Sequence, residues 1–485
     1  MQNIYKKYLD EIGEVGEVTA VKSAVVTASG LPNAFLGERV LTENGVWGLI
    51  FSIDNQKIEF LTLSVGSIRI GEKLVRTSQV FEIEVGDHLG SGVFDPLGQT
   101  ILGETLSETK TQSRPVDIEA AGLSSRKDVT EFFETGVGIV DLIMPLGKGQ
   151  RELVIGDRKS GRSEFAIRAM TAHASAGGVC VYCMIGKRTS YIERIIDSFT
   201  QVGVLDRLCL ITTFASDPAG LIYLAPYSAM TVAEYFRDQG QDALLVLDDL
   251  STHSNFYREV SLVSGRFPGR DSYPGDIFYA HSRLLERAGN FKNGSITALP
   301  IARSLEGDLS GFIPTNLMSI TDGHLFFDPL FFNEGKRPAV NPFLSVTRVG
   351  RQTQGELQKN LGREISTFLV DLKKLRSLMH FGAELTERVQ AKLNLGQRLE
   401  SFFYLNRRLP LPWQQSLFLA AAIWKGWGKG KPSEEFEPML FAALAKLESD
   451  QSLQNLVNEL IAEDELEDYL LKVKENFKAL GGEDV

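Results

Sequence analysis

The feature that most constrains this chain is the segment Gly156-Asp157-Arg158-Lys159-Ser160-Gly161-Arg162-Ser163. It follows the apolar run Leu153-Val-Ile and precedes Glu164-Phe-Ala-Ile-Arg-Ala-Met170, whose spacing is helical. Strand, glycine loop and helix N-terminus, in that order, make a phosphate cradle. Glycines let the backbone curl around an anion, amide N–H groups turn inward, and the helix dipole favours negative charge. A hydroxyl at the helix start, here Ser163, is placed to bind Mg2+. Such loops carry a lysine just before that hydroxyl, and this chain has Arg162 instead. A forked, planar guanidinium does not replace a compact ammonium conservatively. The pocket therefore either holds phosphates in an altered pose or has given up its nucleotide.

An acid at the C-terminal end of a buried strand orients Mg2+ through water in sites of this kind. Asp248, in Leu244-Leu-Val-Leu-Asp-Asp249-Leu-Ser251, stands in that place. Its structural alternative is a cap for the next helix, and Asp249 or Ser251 can fill that role beside it. Hydrolysis also needs a group that positions the attacking water, usually a carboxylate or glutamine. The loop after Met184-Ile-Gly, where similar catalytic proteins place that carboxylate, reads Gly186-Lys187-Arg188-Thr189 and holds no acid. A pocket with arginine in the lysine position and Lys187 in the base position is not expected to turn over ATP.

The loop sits in the middle of three regions. From about Gly16 to Val80, short β-rich runs alternate with turns, and Trp47-Gly-Leu-Ile-Phe-Ser-Ile faces Lys57-Ile-Glu-Phe-Leu-Thr-Leu across Asp54-Asn55 as a hairpin. A small barrel or sandwich follows from that spacing. From Phe81 to Gln354, continuous apolar strands such as Gly178-Val-Cys-Val-Tyr-Cys-Met-Ile and Ala243-Leu-Leu-Val-Leu alternate with helical stretches. Strands of that kind belong in a parallel sheet covered on both faces. Beyond Gln354, Leu357, Leu361, Ile365, Phe368, Leu372, Leu375 and Leu378 form one helical stripe. Helical patterns then run to the end, where Glu463 to Leu470 reads as a solvated acidic face. The expected domains are 1–82, 83–354 and 355–485.

Composition narrows the functions open to this architecture. At 485 residues and a net charge of −11, the surface as a whole repels nucleic acid and anionic lipid. Cys180, Cys183 and Cys209 cannot build a disulfide framework. The Cys180-x-x-Cys183 pair lies in an apolar run, as a buried strand rather than a metal site. No stretch is long and apolar enough to span a bilayer, and the N-terminus has neither signal nor transit character. A cytoplasmic protein is expected.

At a further set of residues the chain resembles the alpha subunit of the F-type, rotary ATP synthases. The resemblance is carried by Gly149-Gln-Arg-Glu-Leu153, Pro268-Gly-Arg-Asp-Ser-Tyr-Pro-Gly-Asp276 and His281-Ser-Arg-Leu-Leu-Glu-Arg-Ala288. It continues in Ile313-Pro-Thr-Asn316, Ser319-Ile-Thr-Asp-Gly323 and Leu344-Ser-Val-Thr-Arg-Val-Gly350. It is close over Gly136 to Gln354 and fainter on either side.

The resemblance implies an N-terminal β-barrel, a central α/β P-loop domain of RecA-like type and a C-terminal helical bundle. It implies a non-catalytic subunit that couples ion flow to ATP synthesis or hydrolysis as part of an ATPase complex. The partners implied are a beta-type catalytic subunit in an alternating alpha3beta3 ring, a gamma-type shaft and a delta-type peripheral stalk. The place implied is the inner face of the cell membrane, reached only through the complex, with no nucleic acid bound.

Arg348 would be an arginine finger reaching the neighbour's γ-phosphate, and Ser345 matches a position required for activity. Arg337-Pro338 matches the adenine pocket, the loop 156–163 the phosphate site for ATP or ADP, and Ser163 and Asp248 the Mg2+ ligands. The departures are Lys159 for a glutamine and Arg303 for a glutamate, each adding positive charge, and Arg162 for the lysine, which keeps the charge but changes its shape. The N-terminal helix, confined to Met1–Ile12, is shorter than the family's leader. Two other readings compete. A Rho-like translocase needs a basic, aromatic N-terminal domain, which the first 80 residues, with no excess of basic over acidic side chains, oppose. A secretion-type ATPase needs its own catalytic carboxylate, which Lys187 denies.

Overall fold

A computed structural model describes residues 2–54, 57–102, 110–379, 386–407 and 409–481. The chain divides into two compact units. One comprises Met1–Asp128, Ala174–Ser304 and Asp308–Thr321; the other comprises Val129–His173, Leu305–Gly307 and Asp322–Val485.

The first unit begins with the helix Gln2–Ile12 and a closed six-stranded barrel. Its strands are β1 (Val15–Lys22), β2 (Val25–Ser29), β3 (Glu38–Thr42), β4 (Trp47–Asp54), β5 (Lys57–Thr62) and β6 (Lys73–Val80). They run in the order β1-β2-β5-β4-β3-β6, and β6 pairs back onto β1. Period-two alternation sends Val18, Val26, Ala28, Val40, Ile50, Ile58, Phe60 and Leu74 inward, which closes the barrel on a dry core. Gly48 lies so close to Phe60 that a Cβ there would meet the ring at 2.3 Å. β4 and β5 form the expected hairpin, with Asp54 opposite Lys57. Asn55, placed in its turn, lies outside the described residues.

The same unit carries parallel strands whose apolar runs are buried along nearly their whole length. Val179–Lys187 pairs on one edge with Leu208–Phe214 and on the other with Asp242–Asp248, which pairs in turn with Ser295–Arg303. Cys180, Cys183 and Cys209 are buried, free thiols on these strands. Burial holds all of them well above the usual thiol range, so they are inert core residues. Among the described residues, no three His, Cys, Asp or Glu side chains could together hold a metal ion.

In the second unit, Glu152–Gly156 pairs in parallel with Gly323–Phe327, whose start pairs antiparallel with Val346–Thr347. Helices follow from Glu356–Met379 to Leu466–Glu475. On the first of them the expected stripe faces inward at Leu357, Leu361, Ile365 and Leu372. Leu378 departs from it and is 59% exposed, because it belongs to the helix's last turn, beyond the packed stretch. The helix Trp413–Trp424 is apolar on every side from Leu417 to Ile423 and buried from Ser416 to Ile423, the mark of a bundle's central helix. In the acidic last segment, Tyr469 and Leu470 anchor the helix inward while Glu463 pairs with Lys472. Among the described residues no helix is long and apolar enough to cross a membrane.

Candidate functional site

The phosphate loop grows out of the strand Glu152–Gly156 and runs into the helix Arg162–Ser175. Gly156 is required by its neighbour, since a Cβ there would lie 2.5 Å from the Phe327 carbonyl oxygen. Lys159 has φ +62° and Gly161 φ +95°, so the loop curls through the left-handed region twice. The Asp157 carboxylate accepts the Gly307 N–H at 3.1 Å and ties the loop to the turn at 305–307. Ser160 is buried, with a hydroxyl that has no hydrogen-bond partner among the described residues. Arg158 lies within the loop, and Arg162 and Ser163 open the helix. Curled backbone, helix N-terminus and an orphaned hydroxyl together suit an anion.

Arg348 follows the strand Val346–Thr347, and its root is heavily fixed. The Arg348 N–H donates to the Asp322 carbonyl at 3.2 Å, while the Asp322 carboxylate takes the Arg151 guanidinium on both oxygens, at 3.1 and 2.8 Å. The Thr347 hydroxyl donates to the Pro145 carbonyl at 2.9 Å. Gly323 and Gly350 permit this closeness: added Cβ atoms would lie 2.3 Å from the Val346 oxygen and 1.6 Å from the Pro145 oxygen. Glu152, buried beneath, accepts from Gln150 at 2.7 Å, and burial pushes its carboxyl well above the usual range. Three stretches that carried the resemblance, around Gln150, Asp322 and Arg348, thus fold against one another. Their joint product is a rigid base under one side chain.

The Arg348 side chain itself is exposed and lines a recess of about 270 Å³ with Arg351, Lys359 and Arg363. Among the described residues, the guanidiniums of Arg348, Arg351 and Arg363 have no hydrogen-bond or ion-pair partner. Among the described residues, Lys359 reaches only Glu356, at 3.4 Å. Sequence reading found Arg348 but not its basic companions, because only the helix Glu356–Met379 brings the last two alongside.

Ser345 faces its own chain. Its hydroxyl donates to the Asn341 carbonyl at 2.7 Å and accepts the Phe326 N–H at 2.9 Å. That makes it a clamp between the segment leading to Arg348 and the strand Gly323–Phe327. Arg337 donates to the Phe332 and Lys336 carbonyls, each at 2.8 Å, and stacks on Phe332 with 3.4 Å to the ring centroid. Pro338 follows it in the same turn.

In the first unit, Asp248 ends its strand as expected, and Asp249 caps the helix Leu250–Val263 by accepting the Thr252 N–H at 2.6 Å. Ser251 instead accepts the Arg303 N–H at 2.9 Å. What sequence reading missed is the company Asp248 keeps. Lys187 donates to Asp248 Oδ1 at 2.6 Å and to Asp249 Oδ2 at 3.0 Å. Tyr182 donates to Asp248 Oδ2 at 2.8 Å, and Tyr191 donates to the same oxygen. Arg303 donates to Asp249 Oδ2 at 2.8 Å.

Burial opposes charge on Lys187, but the Asp248 and Asp249 carboxylates outweigh it and hold the ammonium above the usual lysine range. Burial likewise opposes ionisation of Asp249, and Lys187 and Arg303 overcome it, holding that carboxyl well below the usual range. The Lys187 ammonium on Oδ1 leaves Asp248 a poor fit for Mg2+, since a divalent ion there would meet a fixed like charge.

The nucleotide-binding domain model of the ATP synthase alpha/beta family matches residues 136–347. The ATP synthase subunit alpha of Ligilactobacillus salivarius (strain UCC118) is 40% identical over 428 residues, covering 87% of this chain and 85% of its own. The subunit alpha of Lactiplantibacillus plantarum (strain ATCC BAA-793 / NCIMB 8826 / WCFS1) is 38% identical, covering 86% and 83%. That of Neorickettsia sennetsu (strain ATCC VR-367 / Miyayama) is 39% identical, covering 85% and 84%.

Proposed function

This chain belongs to the ATP synthase alpha/beta family as an alpha-type subunit, and on that premise we propose that it serves a reaction centre on a neighbouring chain through Arg348. The partners in this reading are a beta-type catalytic subunit alternating with it in an alpha3beta3 ring, a gamma-type shaft and a delta-type stalk. The ring works at the inner face of the cell membrane, and this chain meets the membrane only through the complex. ATP or ADP is the ligand of its own loop 156–163, with Arg337 and Pro338 on the adenine side, and that pocket does not hydrolyse. The Rho-like and secretion-type readings are set aside, because the relatives across most of the chain are alpha subunits.

The observation that carries the proposal is an exposed guanidinium without an ion-pair partner among the described residues, mounted on a heavily pinned base. A delocalised cation held that way gains little within its own chain. It neutralises charge that develops on a transferring phosphoryl group, and fingers of this type contribute about 10³–10⁵ in rate. Ser345 then acts as a positioning residue that fixes the approach to Arg348. The test is ATP hydrolysis by a reconstituted ring carrying Arg348→Ala. Turnover is expected to fall by about 10³ while the neighbour still binds nucleotide. A ring running at the unaltered rate would sink the assignment.

A further inference from the structure

We propose that Gln150 is a positioning residue for Arg348, acting through the hydroxyl of Thr347, the residue before the finger. The proposal rests on the reading of Arg348 given above and deepens it.

Gln150 is wholly buried, yet both ends of its amide are engaged. The amide oxygen accepts the Gly147 N–H at 2.9 Å. The amide nitrogen donates to Glu152 Oε2 at 2.7 Å and, over a longer 3.4 Å, to the Thr347 hydroxyl oxygen. These partners fix which way the amide points, because a turned amide would set nitrogen against N–H and oxygen against oxygen. Burial drives the Glu152 carboxyl toward its uncharged form, so it pulls less on the nearby Arg348 guanidinium than an ordinary carboxylate would.

Thr347 passes the restraint on. Its hydroxyl donates to the Pro145 carbonyl at 2.9 Å and accepts the Gly350 N–H at 3.2 Å. With the Gln150 contact, its one donor and both acceptor positions are in use. A single oxygen thus ties the residue before Arg348 to Gly350 beyond it, and the Asp322 carbonyl holds the Arg348 N–H between them at 3.2 Å. Removing the Gln150 amide strips a partner from Gly147, Glu152 and Thr347 in a buried place. The segment from Thr347 to Gly350 can then shift to recover what was lost. A cation that must meet charge in a set position is sensitive to such shifts, since a displacement of about 1 Å costs about 10²-fold in rate.

The experiment is ATP hydrolysis by a reconstituted ring carrying Gln150→Met, alone and together with Arg348→Ala. In the single variant kcat is expected to fall about tenfold, with KM for ATP within about twofold of the unaltered ring. Once Arg348 is alanine, the same substitution is expected to change kcat by no more than about twofold. A residue that only stabilises the fold would lower kcat by the same factor in both backgrounds. That outcome overturns the proposal, as does full turnover in the single variant. Should Gln150→Met fail to fold, Thr347→Val decides, because it removes the hydroxyl at the receiving end. A loss of about tenfold confined to rings that keep Arg348 supports the link, and full turnover or an equal loss in both backgrounds overturns it. Full turnover in the Arg348→Ala ring removes this proposal and the role of Arg348 together. Lost turnover there, with an equal effect of Gln150→Met in both backgrounds, removes this proposal alone.

Discussion

Lys187 and Asp248 are 61 positions apart in the chain and 2.6 Å apart in space. The sequence exposed half of this relation. A lysine stood where a water-positioning carboxylate was expected, and an aspartate ended the strand where a metal ligand was expected. Nothing in the spacing said that the two would meet, because their meeting depends on strand order. Val179–Lys187 lies directly beside Asp242–Asp248, with Met184 opposite Asp248. Tyr182 was legible only as part of an apolar run, although a phenol in such a run needs a partner for its hydroxyl. A stability prediction follows at this scale. Lys187→Met leaves buried carboxylates without their cation, so urea unfolding should show a loss of about 3–5 kcal/mol. Adding Asp248→Asn should recover part of that loss, because the two residues act as one unit. Single losses that simply add in the double variant would mean that the pair is not coupled.

The helices Leu250–Val263 and Ile277–Leu285 meet through a pair of imidazoles, His253 Nδ1 and His281 Nε2, 3.3 Å apart. Tyr223 stacks on His253 at 5.7 Å between centroids. Burial pushes His253 down to about 4, and burial together with His253 holds His281 well below its usual value. His281 lies in one of the stretches that carried the resemblance, yet no residue pattern announced its partner. The two sit on different helices, and neither helix shows the other's facing side. Both rings are neutral when folded and take a proton near pH 6.5 when unfolded.

Stability from this pair is therefore complete above pH 6.5 and is lost as pH falls through 6.5 toward 4. For His253 that is two and a half pH units at about 1.4 kcal/mol each, or about 3 kcal/mol. Asp141 works in the opposite sense. Burial raises its carboxyl from 3.8 to about 7, so its cost grows as pH rises across that range. The contrast with His253→Phe removes this shared contribution. Relative to the native chain, the variant should gain about 3 kcal/mol between pH 6.5 and 4 in chemical unfolding. A difference that stays flat over that range would show that the imidazole is not held neutral.

Across the whole molecule, the three-part architecture was readable because each region has its own period: two in the barrel, continuous apolar runs in the sheet, and three to four in the terminal helices. The division into two compact units was not readable. It joins Val129–His173 to Asp322–Val485, and so groups segments far apart in the sequence. The site followed the same rule. The loop 156–163 is one continuous stretch and was visible at once, whereas the recess around Arg348 draws on a strand end, a turn and a helix.

That recess is a local inversion of charge on a chain whose net charge is −11. Its cations repel one another until an anion arrives, and in the proposed ring that anion is phosphate held by the neighbour. Arg351 lies beside the finger without a partner among the described residues, so Arg351→Gln should lower the ring's kcat/KM by about tenfold, near 1.4 kcal/mol. The effect should shrink as salt rises, because an exposed cation acts through a screened field, with a Debye length of about 10 Å at 0.1 M. Loss of Arg348 should resist salt, since a finger acts by direct contact in a site closed to water. On the proposed reading, in which Lys187 stands in place of a water-positioning carboxylate, the isolated chain should release no phosphate from ATP at any salt concentration. Phosphate release by the chain alone, or equal salt sensitivity of the two arginine variants, would count against a cation built to serve a centre on another chain.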